Sequence, residues 1–215
     1  MIWSTTQQER PKTFDCDPGP SLTSLSEEIQ TSLDAFLTFF DKSVMDVMIE
    51  NTNAHARGEA GWTNLDADEM KAFLSLLVVI GVTKSKKRSV ESLWATDHFF
   101  SIPYYSTVMS RGRFSAIMRH LRFDDTSTRV TRVKETGDKL QAIRDFSEKL
   151  RTNCINAYTP SKWMTVDERL QGFRGKYFGK VYMASKPDKF GAKLWLICDA
   201  VNSYVHNFQI YYPGK

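Results

Sequence analysis

The sequence predicts an α+β protein: an N-terminal all-helical region followed by an antiparallel sheet. Three observations lead there. Apolar residues recur at helical three-and-four spacing up to about residue 158. After Pro160 the pattern changes to short segments rich in aromatic and branched side chains. Glycines (Gly172, Gly175, Gly179) and the polar pair Asn202-Ser203 stand between those segments as turns.

Taken in order, residues 1–25 combine Pro11, Pro18, Gly19 and Pro20 with several Ser and Thr, and little periodic apolar content. That composition predicts a flexible tail. Residues 26–158 form the helical region. Leu33, Phe36, Leu37, Phe40, Val44 and Val47 fit one amphipathic helix or a broken pair. Asp66 followed by Glu69 resembles a capping box ahead of a helix over 70–82. Ser106 is placed to cap a helix carrying Met109, Phe114, Ile117, Met118 and Leu121 on one face. Leu140, Ile143, Phe146, Leu150 and Cys154 make a further stripe, ended before Pro160. From residue 159 to 215 the predicted strands are 163–170, 180–184, 192–200 and 204–211. The glycines suggest a tight connection between the first two, and Asn202-Ser203 a hairpin between the last two.

Composition bounds the function. The chain has 215 residues, 41% hydrophobic and 13% aromatic, enough for a packed core rather than disorder. Net charge is +4, which permits nucleic-acid binding without demanding it. The charge is unevenly placed. Residues 107–151 carry eleven Lys/Arg against six Asp/Glu, and residues 162–193 carry eight against three. The three cysteines, Cys16, Cys154 and Cys198, are far apart and form no CxxC pair, so they read as free thiols in a reducing compartment. The N-terminus lacks the basic segment and apolar run of a secretory signal. The longest apolar run, 72–82, is about half the roughly 20 residues a membrane helix needs. The four histidines are dispersed and do not pair with cysteines at zinc-ligand spacing.

The stretch Lys162-Trp163-Met164-Thr165-Val166-Asp167-Glu168-Arg169-Leu170-Gln171-Gly172-Phe173-Arg174-Gly175-Lys176 concentrates the chemistry. An acidic pair lies in a strand-like segment read as buried, and a glycine-punctuated basic turn follows. An ionised Asp in a core strand is costly unless paired or metal-bound. By itself that leaves two readings for Asp167: a metal ligand, or an ion pair with Arg169, Arg174 or Lys193. Glu168 falls on the opposite face of a regular strand and is placed to orient a basic neighbour.

Thr165-Val166-Asp167-Glu168, Gly172-Phe173-Arg174-Gly175-Lys176 and Tyr182-Met183-Ala184-Ser185-Lys186-Pro187-Asp188-Lys189-Phe190-Gly191-Ala192-Lys193 together resemble the piggyBac transposase family. The likeness continues through Leu194-Trp195-Leu196-Ile197-Cys198-Asp199-Ala200. Upstream it includes Met109-Ser110-Arg111-Gly112-Arg113-Phe114, Leu121-Arg122-Phe123-Asp124-Asp125, and Trp62 with Glu69-Met70-Lys71-Ala72-Phe73-Leu74. The matching motifs are ordered along the chain from about Leu33 onward.

The resemblance implies a helical dimerisation and DNA-binding region over 26–158 and the first strands of an RNase H-like core over 159–215. It implies DNA strand cleavage and transfer at transposon ends, with Mg²⁺ or Mn²⁺ held by three aspartates, the two-metal chemistry of such sites. Asp167 matches the first aspartate, as catalytic residue and metal ligand; the other two lie beyond residue 215. Asp199 matches a family aspartate that is not catalytic. The expectation is therefore a chain truncated within its core and catalytically incomplete. The family's cysteine-rich zinc-binding tail is absent from these residues.

Candidate phosphate contacts are Arg111, Arg113, Arg119 and Arg122 along a helix, and Lys176, Lys186 and Lys189 around the strands. The competing reading of each is an ordinary solvated cation. The resemblance further implies a nuclear location and allows a homodimer, and the short apolar run argues against a membrane partner. Lys84-Ser85-Lys86-Lys87-Arg88 is a candidate localisation signal. A domesticated, non-catalytic DNA-binding or interaction module and a non-functional gene fragment stand as alternatives.

Overall fold

The computed structural model describes residues 19–20, 29–96 and 101–213. The expected tail (apart from Gly19 and Pro20), Cys16 and His98 lie outside them. The chain divides into two compact units: Phe40–Leu150, and the residues up to Phe39 together with Arg151–Lys215. The fold is α+β, helices first and an antiparallel sheet after them.

The apolar run starting at Leu33 forms the broken pair, with helices Ser32–Phe39 and Lys42–Ala56. The break occurs because Asp41 caps the second helix, its carboxylate accepting the Val44 amide at 2.9 Å. Helix Ala67–Val82 begins at Asp66, which accepts from the Glu69 amide at 2.8 Å. The carboxylate of Glu69 turns instead to Arg113. Ser106 does not cap the long helix downstream. It lies inside a short helix, Tyr104–Val108, and Ser110 caps helix Arg111–His120 by accepting the Arg113 amide. Helix Arg129–Thr136 ends on Gly137 at φ 66°, the left-handed conformation glycine takes without a Cβ penalty.

The core of this unit joins Val44 and Met48, Met70, Phe73 and Leu76, Tyr105, and Phe114 and Ile117, all buried. Each such side chain contributes on the order of 2 kcal/mol by leaving water. Trp94 packs on Phe114 and Tyr105 at centroid distances of 4.8 and 5.2 Å. Its indole N–H donates to Met109 O at 2.8 Å, so the half-buried ring leaves no orphaned donor.

The other unit holds the sheet. Strands β1 (Gly19–Pro20) and β2 (Tyr158–Thr159) form a two-residue antiparallel pair. The main sheet comprises β3 (Met164–Gly172), β4 (Lys180–Tyr182), β5 (Phe190–Asp199) and β6 (Val205–Ile210), all antiparallel to β5. The glycine-bearing segment 173–179 connects β3 to β4 as expected, but the two strands do not pair: β3 takes one side of β5, and β4 and β6 share the other in tandem. Close pairing explains Gly191, where a Cβ would run into Gln171 O of β3. The hairpin at Asn202-Ser203 forms as expected, with Ser203 at φ 64° and Asn202 Oδ1 accepting the Tyr204 amide. Beneath it Tyr204 packs on Tyr158 and Phe39, and its hydroxyl donates to Cys154 O at 2.7 Å. Burial pushes the Tyr204 phenol up to about 12 and raises the Cys154 thiol.

Candidate metal and nucleic-acid site

Asp167 sits mid-strand on β3, opposite Leu196. Phe173 N donates to Phe190 O and Ala200 N to Trp163 O, which continues the β3–β5 ladder at both ends. In an antiparallel pair the bonded positions alternate, so odd-numbered β3 residues bond to β5 and the amides of Val166, Glu168 and Leu170 face outward. The reading of β3 as a buried strand is corrected. Among the described residues it pairs with β5 alone, Asp167 is exposed, and neighbouring Val166 is 67% exposed.

The Asp167 carboxylate accepts the outward Glu168 amide at 2.7 Å, and Lys186 Nζ donates to the outward Glu168 carbonyl at 3.2 Å. On the opposite face Glu168 pairs with Lys193 at 3.0 Å. Lys193 Nζ in turn lies 4.0 Å from the centroid of the Trp195 ring. The expected orienting role of Glu168 thus falls on Lys193, and Asp167 is left facing solvent.

Asp199 is 1% exposed and serves the scaffold. Its carboxylate accepts the Ser161 amide at 2.6 Å, the Ser161 hydroxyl at 3.0 Å and the Val201 amide at 2.8 Å. These bonds, Ser161 N–H foremost, hold its carboxyl below the usual Asp range. It belongs to the face of the sheet opposite Asp167, since it pairs with Met164. Among the described residues no three His, Cys, Asp or Glu side chains converge on a metal-sized volume. One solvent-facing carboxylate does not fit a two-cation centre.

The basic candidates divide sharply. Arg113 is only 16% exposed; its guanidinium forks onto both Glu69 oxygens at 2.6 Å and lies 4.5 Å from the Trp62 ring centroid. Arg122 Nη2 donates to His55 Nε2 at 2.8 Å. Arg111 and Arg119 are exposed, with Glu59 3.8 Å from Arg119. Lys176 and Lys189 are exposed and Lys186 is half-buried. The arginines belong to the Phe40–Leu150 unit and the lysines to the other.

Sequence reasoning missed two features. His55 and His120, 65 residues apart, meet at 3.2 Å between their Nδ1 atoms. Because guanidinium only donates, His55 Nε2 accepts from Arg122 and its Nδ1–H donates to His120. Burial, then Arg122 and His120, depress the His55 pKa. Helix periodicity would have placed both histidines on helices but not against each other. The second feature is a set of exposed aromatics on the sheet, Phe173, Tyr182 and Phe190; their occurrence between lysines was the available signal.

Known proteins place these features in a family. The family model described as "Transposase IS4" matches residues 31–215. Human PiggyBac transposable element-derived protein 3 is 24% identical over 188 residues, covering 87% of this chain and 30% of its own length. Human PiggyBac transposable element-derived protein 2 is 22% identical over 178 residues, covering 82% and 28%. This chain thus spans less than a third of these relatives. A piggyBac transposase, solved by cryo-EM as a synaptic complex with hairpin DNA, superposes with a TM-score of 0.81 at 32% identity. That match covers 92% of this chain and 41% of the other. Among the described residues no helix is long and apolar enough to cross a membrane. The ordered motifs, the helices-then-sheet architecture and the family match over residues 31–215 agree, and the chain belongs to the Transposase IS4 family, in its piggyBac group.

Proposed function

We propose that this chain is the DNA-binding, first-carboxylate portion of a piggyBac-type DNA transposase that cuts and joins strands at transposon ends. The observation that carries the reading is the solvent-facing Asp167 carboxylate at the centre of β3, within the motif matched to the family's first metal-binding aspartate. Asp167 is the proposed Mg²⁺ or Mn²⁺ ligand of the assembled site. Among the described residues no group of three metal-binding side chains forms around it, so we expect residues 1–215 alone to bind DNA without cleaving it. Arg111, Arg119, Lys176 and Lys189 are the proposed phosphate contacts, with Lys186 anchoring its loop to β3. Arg113 and Arg122 are committed within the Phe40–Leu150 unit, to Glu69 and His55. A homodimer and a nuclear location follow the same family reading.

The test is DNA binding and nicking by the purified chain with Mn²⁺ supplied. Binding that weakens steeply with salt, with no nicking, supports the proposal. Metal-dependent nicking abolished by Asp167→Ala would show that the chain completes its own site. Absence of any DNA affinity would reject the reading. The non-catalytic DNA-binding module is the second reading, favoured by the same lone carboxylate. It predicts that Asp167→Ala changes nothing even in a chain extended to the relatives' full length.

A further inference from the structure

We infer that the β4–β5 end of the sheet is a stacking platform for unpaired deoxynucleotides. The inference rests on the DNA reading above and specifies which DNA structure this surface takes. Phe173 N donates to Phe190 O at 3.1 Å, and Tyr182 pairs with Phe190 in register on the other side. The three aromatic residues therefore occupy one row across β3, β5 and β4. By the alternation of strand side chains they share the sheet face that also carries Asp167.

All three rings are open to solvent: Phe173 is 45% exposed, Phe190 54% and Tyr182 56%. Tyr182 and Phe190 lie 4.9 Å apart between ring centroids. Neighbouring rings normally stabilise a protein by being buried, each removing 150–250 Å² from water; here they form a surface instead. The segment that carries them is strongly cationic. Residues 173–190 contain Arg174, Lys176, Lys180, Lys186 and Lys189 against Asp188 alone. Arg174, Lys176, Lys180 and Lys189 are exposed.

Aromatic faces interleaved with exposed cations are what single-stranded nucleic acid requires: the rings stack bases and the cations take phosphates. Duplex bases are stacked on one another and cannot reach the rings, so the ligand is a strand with unpaired bases. Along β5, Phe190 is six residues from Leu196, the partner of Asp167. That separation is roughly 20 Å at strand rise, so a strand held here lies on the face to which Asp167 belongs.

The test uses the full 215-residue chain and fluorescence anisotropy with labelled oligothymidylate and a duplex of equal length. The wild type is expected to bind both. Tyr182→Leu combined with Phe190→Leu should weaken strand binding about tenfold or more and leave duplex binding unchanged. Lys180→Gln with Lys189→Gln should weaken both. Tyr182→Phe with Phe190→Tyr keeps both ring faces and should retain strand affinity, which separates stacking from misfolding. If the leucine pair weakens neither ligand, or both equally, the platform is overturned. Loss of strand affinity in the ring-preserving pair overturns it as well. A wild type that binds duplex but no single strand rejects the platform while leaving the DNA reading intact; binding to neither rejects both.

Discussion

Arg113 and Glu69, 44 residues apart in sequence, form a two-pronged ion pair with both contacts at 2.6 Å. Arg113 also donates to Thr63 O at 2.9 Å and lies over Trp62. It ties helix Arg111–His120 to the start of helix Ala67–Val82. Removing either partner strands a partly buried charge. We expect Arg113→Ala and Glu69→Ala each to cost about 2 kcal/mol. Arg113→Lys should recover only part of this, because an ammonium cannot fork onto two oxygens. Chemical denaturation checks these values, and the double variant should show strong non-additivity.

Acid should loosen the histidine contact. The native His55 pKa lies below the ordinary histidine value of 6.5, so the unfolded chain takes up its proton first as pH falls. The contribution is complete above about 6.5 and is lost progressively below it, levelling off beneath the native pKa. Thermal melts between neutral pH and pH 5 should show this decline, reduced in His55→Gln.

Asp199 should show the carboxylate version of the same linkage. Its native pKa is below the ordinary Asp value of 3.8. The stabilisation is present above that value and disappears as pH falls beneath it. Asp199→Asn keeps an acceptor and should lower Tm less than Asp199→Ala, which leaves Ser161 N–H without its acceptor. Melting of the two variants at neutral pH distinguishes them.

Asp167→Ala should leave stability within about 0.5 kcal/mol, since the side chain is exposed and bonds only its neighbour's amide. Near-native melting of this variant is the control needed before any lost activity is ascribed to chemistry.

Gly191→Ala should damage the sheet directly. The added methyl meets backbone, Gln171 O, rather than a movable side chain. We expect loss of amide-exchange protection along β3 and β5, with the helices of the Phe40–Leu150 unit retaining theirs.

Element types and the order of helices before strands were legible because burial imposes period on sequence. The stripe through Phe114 and Ile117 and the β5 run around Leu194 and Leu196 are examples. The motif around Asp167 was legible from residue identity alone, and with it the family. Which serine caps a helix was not: Ser106 and Ser110 are equivalent locally, and packing around Tyr105 and Phe114 selected the second. The exposure of Asp167 depends on whether another strand covers β3, which no local pattern encodes. Arg113 and Arg119 look alike along one helix, yet one forks onto Glu69 of a distant helix in a largely buried pair and the other stays exposed with only a long contact to Glu59. The sequence by itself determined the element types, the turn positions and the family. Tertiary structure decided which charges are committed to internal partners, because an ion pair or an open ring face depends on residues brought together across the chain.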